Sequence, residues 1–309
     1  MASIEPTLRE LARAIEPTAA QKDAASRSYN HLRTLIDRRV FGERIVDCYL
    51  SGSYRRNTAI SPIRDIDVIF VIDPRCWPAA MLGFADKPNP STVLKSFARV
   101  LRDEYKTSST FSQARSLRLE LAHVHIDCVP AVEIPGSDIV WIGSRRDDSW
   151  TKSSPKRHHA ALTAANAAND KLLVPLVKLL KRWNSGLPGT AHVRSFVVET
   201  LAVTLFSQVR MCSLEDGTML FFDFVASFDG QADHEWPSKY GVAMDFWTGT
   251  VVPDSAGTGL NVAAGVDSGR RSSFIQRAVQ SRDRLKKAIG AQSNKTAVEH
   301  VLEAFRWGQ

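Results

Sequence analysis

The sequence predicts an α+β protein, with a mixed sheet and flanking helices in its first half and helices in its second half. Apolar runs near 44–50, 66–72 and 124–132 have the length and the bounding turn residues of buried strands. Beyond about residue 155, long stretches rich in Ala, Leu and Lys are typical of helices. We therefore expect two domains, an N-terminal helix with a sheet-containing core over 1–155 and a helical lobe over 156–309.

The remaining elements follow from hydrophobic periodicity and from residues that end helices. Apolar positions at helical spacing over 7–40, interrupted by Pro17, predict a short helix followed by a longer one. A helix over 92–105 is expected to begin after Ser91 as its N-cap, and the alternation at 116–121 predicts a half-buried strand. The second half is expected to contain a loop-dominated stretch at 230–272, a kink at Pro175, and helices over 156–184, 193–211, 219–228, 273–289 and 296–307.

Composition narrows the class of protein. A net charge of +7 and a pI near 9.3 favour polyanionic partners such as nucleotides or nucleic acid, with a solvated basic surface as an equal alternative. The cysteines form no C-x-x-C pair, so a zinc site is not expected, and Cys48 and Cys128 are predicted to be buried free thiols. Without a signal pattern or an apolar run long enough to span a bilayer, we expect a cytoplasmic protein that does not insert into membranes.

The most informative motif is Leu50-Ser-Gly-Ser-Tyr-Arg-Arg-Asn-Thr58, followed by Asp65-Ile-Asp67. Gly52 has no Cβ, so its backbone can approach a phosphate closely, and Ser53 with neighbouring N–H groups can donate to that phosphate. Asp65 and Asp67 open a predicted strand, on which residues i and i+2 face the same side. Two such carboxylates repel each other unless they hold a hard cation. The motif therefore indicates a phosphate site beside a divalent-metal site, although Asp-x-Asp also arises by chance on exposed strands.

Asp127 is the candidate for a third acidic ligand. It interrupts the otherwise apolar run Ile126–Val132, and a buried carboxylate is costly without a cation or a hydrogen-bond donor. A phosphate site beside a divalent-metal site is what nucleotidyl transfer from a nucleoside triphosphate needs. In such a site two metal ions hold the attacking and the leaving oxygens, and they need more than two acidic ligands. Asp127 would help to hold the catalytic ion and accept the proton of the attacking hydroxyl. The alternative is that Asp127 ends or caps a strand.

These residues together resemble a known superfamily. Gly-Ser, then Asp-x-Asp, then a distant Asp is similar to the pattern of DNA-polymerase-β-like nucleotidyltransferases. The longer string from Ser51 to Val68 resembles the bacterial CD-NTases, relatives of animal cyclic GMP-AMP synthase and oligoadenylate synthase. The resemblance implies a polymerase-β-like core and a C-terminal helical lobe of the oligoadenylate-synthase type that closes the active-site cleft.

A second element extends the resemblance into the helical half. Leu176–Asn184 followed by Ser195–Glu199 resembles the family's Lys…Ser element, which implies that Lys181 and Ser195 grip the triphosphate. From the residues alone, Lys178 and Lys181 could equally form a solvated basic face of one helix. Ser195 could equally be a helix cap.

The family resemblance implies templateless synthesis of a cyclic di- or trinucleotide second messenger from NTPs, ATP among them and GTP or others besides, in bacterial anti-phage defence (CBASS). Two Mg²⁺ ions, or Mn²⁺ in their place, would be held by Asp65, Asp67 and Asp127. Gly52 and Ser53 would position the triphosphate. A regulatory protein of the HORMA type or a ubiquitin-transfer-like protein, and weak nucleic-acid binding, are further partners that the resemblance allows.

Two other functions remain open at this point. A nucleotidyltransferase that modifies tRNA or a protein would use the same acids, and the basic charge suits tRNA. A non-catalytic nucleotide or RNA sensor would have no need of three clustered acids, so Asp65, Asp67 and Asp127 argue against it.

Overall fold

A computed structural model of the chain describes residues 3–38, 45–73, 89–106, 108–134, 136–228 and 251–306. The chain divides into two compact units. One comprises Pro17–His159, and the other combines Met1–Glu16 with Ala160–Gln309. Cys76 and residues 230–250 of the predicted loop-dominated stretch lie outside the described residues.

The unit Pro17–His159 is built on a mixed sheet. Its helices are α2 (Ala19–Asp37), the short α3 (Gly52–Arg55) and α4 (Pro90–Glu104). The described residues form these strands: β1 (Ile45–Ser51), β2 (Asp65–Ile72), β3 (Ser109–Ser112), β4 (Leu117–Glu120), β5 (His125–Glu133), β6 (Val140–Ser144) and β7 (Ser149–Ser153). The strand order is β1-β2-β5-β4-β3, and β6 pairs with β5 and β7. The pair β2 and β5 is parallel, whereas the other pairs are antiparallel.

The two faces of this sheet differ in what covers them. On β2, Ile66, Val68 and Phe70 belong to the main hydrophobic cluster, which also contains apolar residues of α2 and α4. The alternate residues face the other side, where Ile69 packs with Ala131 and Val140 in a smaller cluster. The second face is therefore only partly apolar, and this leaves room for polar residues at its edge.

The predicted helix near 92–105 is present as α4, but its cap differs from the prediction. The N-cap is Asn89, whose side chain accepts a hydrogen bond from the Thr92 backbone N–H at 3.1 Å. Ser91 instead bonds Asp148. Pro90 occupies the first turn, where a missing N–H costs nothing because that group has no partner within the helix. The Asn-Pro pair, and not the serine after it, starts the helix.

Asn89→Ala is expected to lower the free energy of unfolding by about 1 kcal/mol, the usual effect of losing a side-chain N-cap. Thr92→Ala is the control, because Thr92 is exposed inside the helix and keeps the backbone N–H that bonds Asn89, and a change within about 0.5 kcal/mol is expected for it. Chemical denaturation followed by circular dichroism measures both. Equal losses for the two variants would contradict the assignment of the cap.

The second unit is helical. It contains α1 (Glu5–Ala14), α6 (Leu173–Ser185), α7 (Ser195–Phe206), α8 (Leu214–Ala226), α9 (Ser268–Ile289) and α10 (Asn294–Ala304), and it shares α5 (Pro155–Ala168) with the first unit. Trp183 stacks edge-on against Phe222 and Phe274, with ring centroids 5.0 and 5.3 Å away, and its indole N–H donates to Ser281 at 2.9 Å. This aromatic cluster forms the centre of the unit.

The first helix belongs to this second unit, although the sequence analysis groups it with the N-terminal core. Leu8 and Leu11 of α1 are buried. The Glu215 carboxylate, at the start of α8, accepts hydrogen bonds from the Ile4 backbone N–H and the Ser3 hydroxyl, each at 2.9 Å. These contacts join residues far apart in sequence, which local periodicity does not reveal.

The predicted long helix over 156–184 is two helices, and the break does not fall at Pro175. The chain leaves helical geometry at Asp170 and Lys171, whose φ angles are +50° and +64°. The buried Asn169 side chain holds this turn by donating to the Ala165 and Phe206 carbonyls and accepting from the Met211 N–H. Pro175 sits in the first turn of α6, where its missing N–H breaks no helical bond.

The other predicted strands and helices are present, with ends that differ from the predicted ones by up to five residues. The chain breaks near Pro17 as predicted, the strands near 44–50, 66–72 and 124–132 are β1, β2 and β5, and Cys48 and Cys128 are buried free thiols. Strands β3, β6 and β7 were not predicted, because their short sequences are largely polar or mixed. Among the described helices, none is both long and apolar enough to cross a bilayer.

Candidate active site

The Gly-Ser motif forms the turn that follows β1. Gly52 begins α3 with a φ of +63°, a conformation that residues with a Cβ rarely adopt. The Ser53 carbonyl accepts the backbone N–H groups of Thr58 and Ala59 at 2.9 and 3.2 Å, which closes the turn. The backbone conformation at position 52 therefore favours glycine, in addition to the close approach to a phosphate that the sequence predicts.

A steric constraint also favours glycine at position 52, because the Asp67 side chain lies directly against its backbone. A Cβ built on Gly52 would stand 1.7 Å from Asp67 Oδ2 and 2.6 Å from its carboxyl carbon. Ser51 and Asp67 are paired residues in the antiparallel ladder of β1 and β2, so the turn starts next to this carboxylate. The absent side chain of Gly52 thus provides the space that the Asp67 carboxylate occupies.

The three predicted acids lie on one face of neighbouring strands. In the parallel pairing of β2 with β5, Asp67 is opposite Asp127 and Asp65 is opposite His125. Residues paired in this way face the same side, as do residues i and i+2 of one strand. The Asp65 side chain is 51% exposed and that of Asp127 is 13% exposed, so the group of acids extends from solvent into the sheet.

The Asp127 carboxylate is held by Arg118, a residue that the sequence analysis did not single out. Arg118 is opposite Asp127 in the ladder of β4 and β5, and its Nε and one terminal nitrogen donate to the two carboxylate oxygens at 2.9 and 2.8 Å. The same terminal nitrogen lies 3.8 Å from Asp65 Oδ2. The hydrogen bonds with Asp127 raise the pKa of the Arg118 guanidinium. One terminal nitrogen of Arg118 therefore lies between the carboxylates of Asp127 and Asp65.

His125 adds a further polar atom to this face. It is the partner of Asp65 in the ladder, and its Nδ1 is buried without a hydrogen-bond partner. A buried ring nitrogen without a partner is unusual in a folded protein and is found at sites that take up a ligand or water.

The acids suit a divalent cation in their chemistry. Carboxylate oxygens are the ligands that Mg²⁺ and Mn²⁺ prefer, and Asp65, Asp67 and Asp127 supply them from one face of two paired strands. Within the described ranges, no set of three His, Cys, Asp or Glu side chains is arranged to hold a metal ion as it stands. Arg118 already supplies positive charge to two of the acids. The metal-binding role of these acids stays a prediction.

The predicted triphosphate ligands lie in the helical unit. Lys181 of α6 and Glu199 of α7 form a buried ion pair, with 3.6 Å between Nζ and the carboxylate and side-chain exposures of 8% and 3%. Lys178, one turn earlier, is also buried and pairs with Glu16. The two lysines therefore do not form a solvated basic face.

Ser195 is the first residue of α7 and does not cap it, because the N-cap position is Arg194 and no side chain caps this end. The preceding loop is fixed by Asn184, which donates to the Val193 carbonyl at 2.7 Å and accepts from the Val193 N–H at 3.2 Å. Glu199 follows Ser195 by one turn on α7, so both lie on the same side of that helix. The structure thus connects Lys181 and the helix that carries Ser195 through Glu199, and their contact with phosphate stays a prediction.

The mixed sheet with its flanking helices and the helical second half have the nucleotidyltransferase fold of CD-NTases. Residues 2–166, more than half of the chain, match the model of the Second Messenger Oligonucleotide or Dinucleotide Synthetase (SMODS) domain. The chain belongs to this family and is a bacterial CD-NTase. Enzymes of the family generally use divalent metal ions.

One curated relative is a cyclic AMP-AMP-AMP synthase of Acinetobacter sp. (strain ATCC 27244 / 9458), 27% identical over 197 residues. The alignment spans 60% of this chain and 54% of that protein. Among solved structures, E. coli MS115-1 CdnC in a complex with HORMA-deltaN superposes with a TM-score of 0.79 at 19% identity, covering 97% of this chain and 96% of that one. Bradyrhizobium diazoefficiens CdnG in complex with GTP gives a TM-score of 0.71 at 14% identity, covering 96% and 97%.

Arg118 and Glu199 are the site residues that sequence reasoning missed. Each had a weak signal. Arg118 is a basic residue at an alternating position of a predicted strand, and Glu199 is an acid within an apolar helix. Because a buried charge requires a partner, the position of Glu199 could have indicated an ion pair, but it could not have shown that Lys181 is the partner.

Proposed function

We propose that this chain is a templateless, Mg²⁺-dependent nucleotidyltransferase that makes a cyclic di- or trinucleotide second messenger from NTPs, ATP among them. The observation that carries the proposal is the pairing of Asp67 with Asp127 on parallel strands, beside a glycine turn that leaves space for the Asp67 carboxylate. The name of the Acinetobacter relative and the CdnC structure with ATP support ATP as a substrate. The CdnG structure with GTP supports GTP as another.

In this proposal the residues have separate roles. Asp65, Asp67 and Asp127 hold the divalent ions, which when bound would stabilise the charge that develops on the oxygens around the α-phosphate. Asp127 accepts the proton of the attacking ribose hydroxyl. Gly52 and Ser53 position the triphosphate through the backbone of their turn.

Lys181 and Ser195 of the helical unit would contact the outer phosphates, and the unit Pro17–His159 would be the catalytic core. The buried position of Lys181 supports this role, because a desolvated ammonium interacts more strongly with a phosphate than an exposed one does. Attack by a 2′- or 3′-hydroxyl on the α-phosphate of another NTP releases pyrophosphate, and a second transfer closes the ring.

The proposed setting is bacterial anti-phage defence, in which the cyclic product would switch on an effector. The CdnC:HORMA-deltaN complex supports a HORMA-type regulator as a partner of this chain. The protein itself is placed in the cytoplasm, because its proposed NTP substrates are found there.

Asp67→Asn is expected to lower product formation by roughly 100-fold or more, the scale on which loss of one electrostatic stabiliser lowers kcat. The control is Asp47→Asn, an acid of neighbouring β1 that is 51% exposed and pairs with Arg33 away from the site, and it should keep the wild-type rate. The assay incubates purified protein with Mg²⁺ and all four NTPs, one of them labelled at the α-phosphate. It scores phosphatase-resistant label and identifies the product by mass spectrometry.

Each outcome of this assay decides between functions. Phosphatase-resistant label that Asp67→Asn abolishes supports the cyclic product. Label that stays entirely phosphatase-sensitive overturns the proposal. Transfer of label to added tRNA or to protein supports the alternative nucleotidyltransferase, and the net charge of +7 would suit a polyanionic tRNA substrate.

A further inference from the structure

Arg118 supplies a positive charge within the group of acids. It binds both oxygens of Asp127 in a bidentate geometry and lies 3.8 Å from Asp65. Its guanidinium cancels one of the three formal negative charges of the acid face. Bidentate arginine–carboxylate pairs fix both the position and the orientation of the carboxylate, so Asp127 is held in one place.

The partial burial of the Arg118–Asp127 pair strengthens its attraction relative to that of an exposed ion pair. The side chains of Arg118 and Asp127 are 29% and 13% exposed, so both are shielded from most of the solvent. By contrast, Arg33 of α2 and Asp47 of β1 form a single 3.1 Å contact with about half of each side chain exposed. The first pair is partly buried and bidentate, which makes it stronger than a surface ion pair.

We propose that Arg118 is the built-in counter-ion of the acid site. It compensates Asp127 and Asp65 when no divalent ion is bound, and it lowers the intrinsic affinity of the site for such an ion. This inference rests on the proposed function, because it takes the three acids to be metal ligands. It follows that the free enzyme binds metal weakly, and that ions enter most readily with the negatively charged triphosphate, which offsets the charge of Arg118.

The alternative is that Arg118 is a purely structural partner that keeps the Asp127 carboxylate in a productive position. The two accounts predict opposite changes. If Arg118 competes with the metal ion, removing its charge strengthens metal binding. If Arg118 only positions Asp127, removing it weakens metal binding, because Asp127 is then free to turn.

The test measures Mn²⁺ binding to the purified full-length protein without nucleotide, by the loss of the electron paramagnetic resonance signal of free Mn²⁺. Arg118→Met is expected to bind Mn²⁺ about tenfold more tightly than wild type. A like charge this close to a bound cation costs at least the roughly 1.4 kcal/mol that a tenfold change represents, even at an effective dielectric constant of about 20. Arg118→Lys keeps the charge and should stay within about threefold of wild type.

Arg33→Met removes the arginine–aspartate contact between α2 and β1, which does not involve the acid face, so its Mn²⁺ affinity should equal that of wild type. Thermal unfolding gives a second readout, which remains useful if Arg118→Met is unstable. The variant should melt below wild type without metal, because Asp127 loses its partner, and should gain more on addition of Mn²⁺ than wild type gains.

Unchanged or weaker Mn²⁺ binding by Arg118→Met, or no binding by either protein, overturns the counter-ion role. The failure of this inference is distinguishable from that of the proposed function. A wild-type enzyme that forms cyclic product, with unchanged Mn²⁺ affinity in Arg118→Met, refutes only the role of Arg118. Tighter Mn²⁺ binding by the variant of a protein that makes no cyclic product supports the role of Arg118 and refutes the proposed function.

Discussion

Replacing Gly52 with alanine is expected to lower nucleotidyl transfer by roughly 100-fold or more while the protein stays folded. The new methyl group would stand 1.7 Å from Asp67 Oδ2, whereas ordinary contacts begin near 3.4 Å, so the carboxylate must move by more than 1 Å. A displacement of about 1 Å at a catalytic group can cost on the order of 100-fold in rate. Product formation from labelled NTPs measures the effect.

Gly136→Ala is the matched control for this substitution. Gly136 lies in the same unit with a φ of +70°, close to the +63° of Gly52, but a Cβ there would meet nothing within 4 Å. Both variants therefore carry a similar backbone cost, of about 1 kcal/mol, and only Gly52→Ala displaces an acid. If both variants lost activity equally, backbone strain and not the position of Asp67 would be the cause, and the steric argument would fail.

The second large effect is expected for the buried ion pair of the helical unit. Glu199→Ala leaves the Lys181 ammonium buried without this carboxylate, and breaking a buried pair from one side costs about 3 kcal/mol or more. For a unit of this size the loss corresponds to a fall of roughly 6–12 °C in the midpoint of thermal unfolding. Differential scanning calorimetry measures this change.

Two comparisons show whether the burial of the pair is the cause. Glu303→Ala removes the carboxylate that pairs with Arg284, where both side chains are about half exposed, and it should cost less than about 1 kcal/mol. The double variant Lys181→Met with Glu199→Leu removes both charges and should recover most of the stability lost by Glu199→Ala. Equal melting temperatures for Glu199→Ala and Glu303→Ala would show that the pair does not stabilise the unit.

The acid-bearing strand shows how much of the core could be predicted. The run after Asp67 is apolar without interruption because β2 is covered on both faces along most of its length, and that pattern is visible in the sequence. The pairing of β2 with β5 is different, since it joins segments far apart in sequence, with α4, β3 and β4 among the described residues between them. Only this parallel register places Asp67 opposite Asp127, and periodicity within one segment carries no information about register between segments.

The errors in the helical half have a similar origin. Pro175 was predicted to kink a long helix, but the helix ends earlier at Asn169, whose side chain binds backbone groups of α5, of the end of α7 and of Met211. A proline is a local signal with two outcomes, a kink within a helix or a place in a first turn. Tertiary hydrogen bonds to a neighbouring helix decide between them.

The sequence by itself determined the α+β class, the strand that carries Asp65 and Asp67, the isolated acid Asp127 and the membership of a nucleotidyltransferase family. These features depend on residue type and on spacing within short segments, and both can be read directly from the amino-acid sequence. The tertiary structure alone decided that Arg118 faces Asp127, that Gly52 makes room for Asp67 and that Lys181 is paired with Glu199. Those contacts join residues from different strands or helices, and only packing and strand register bring such residues together.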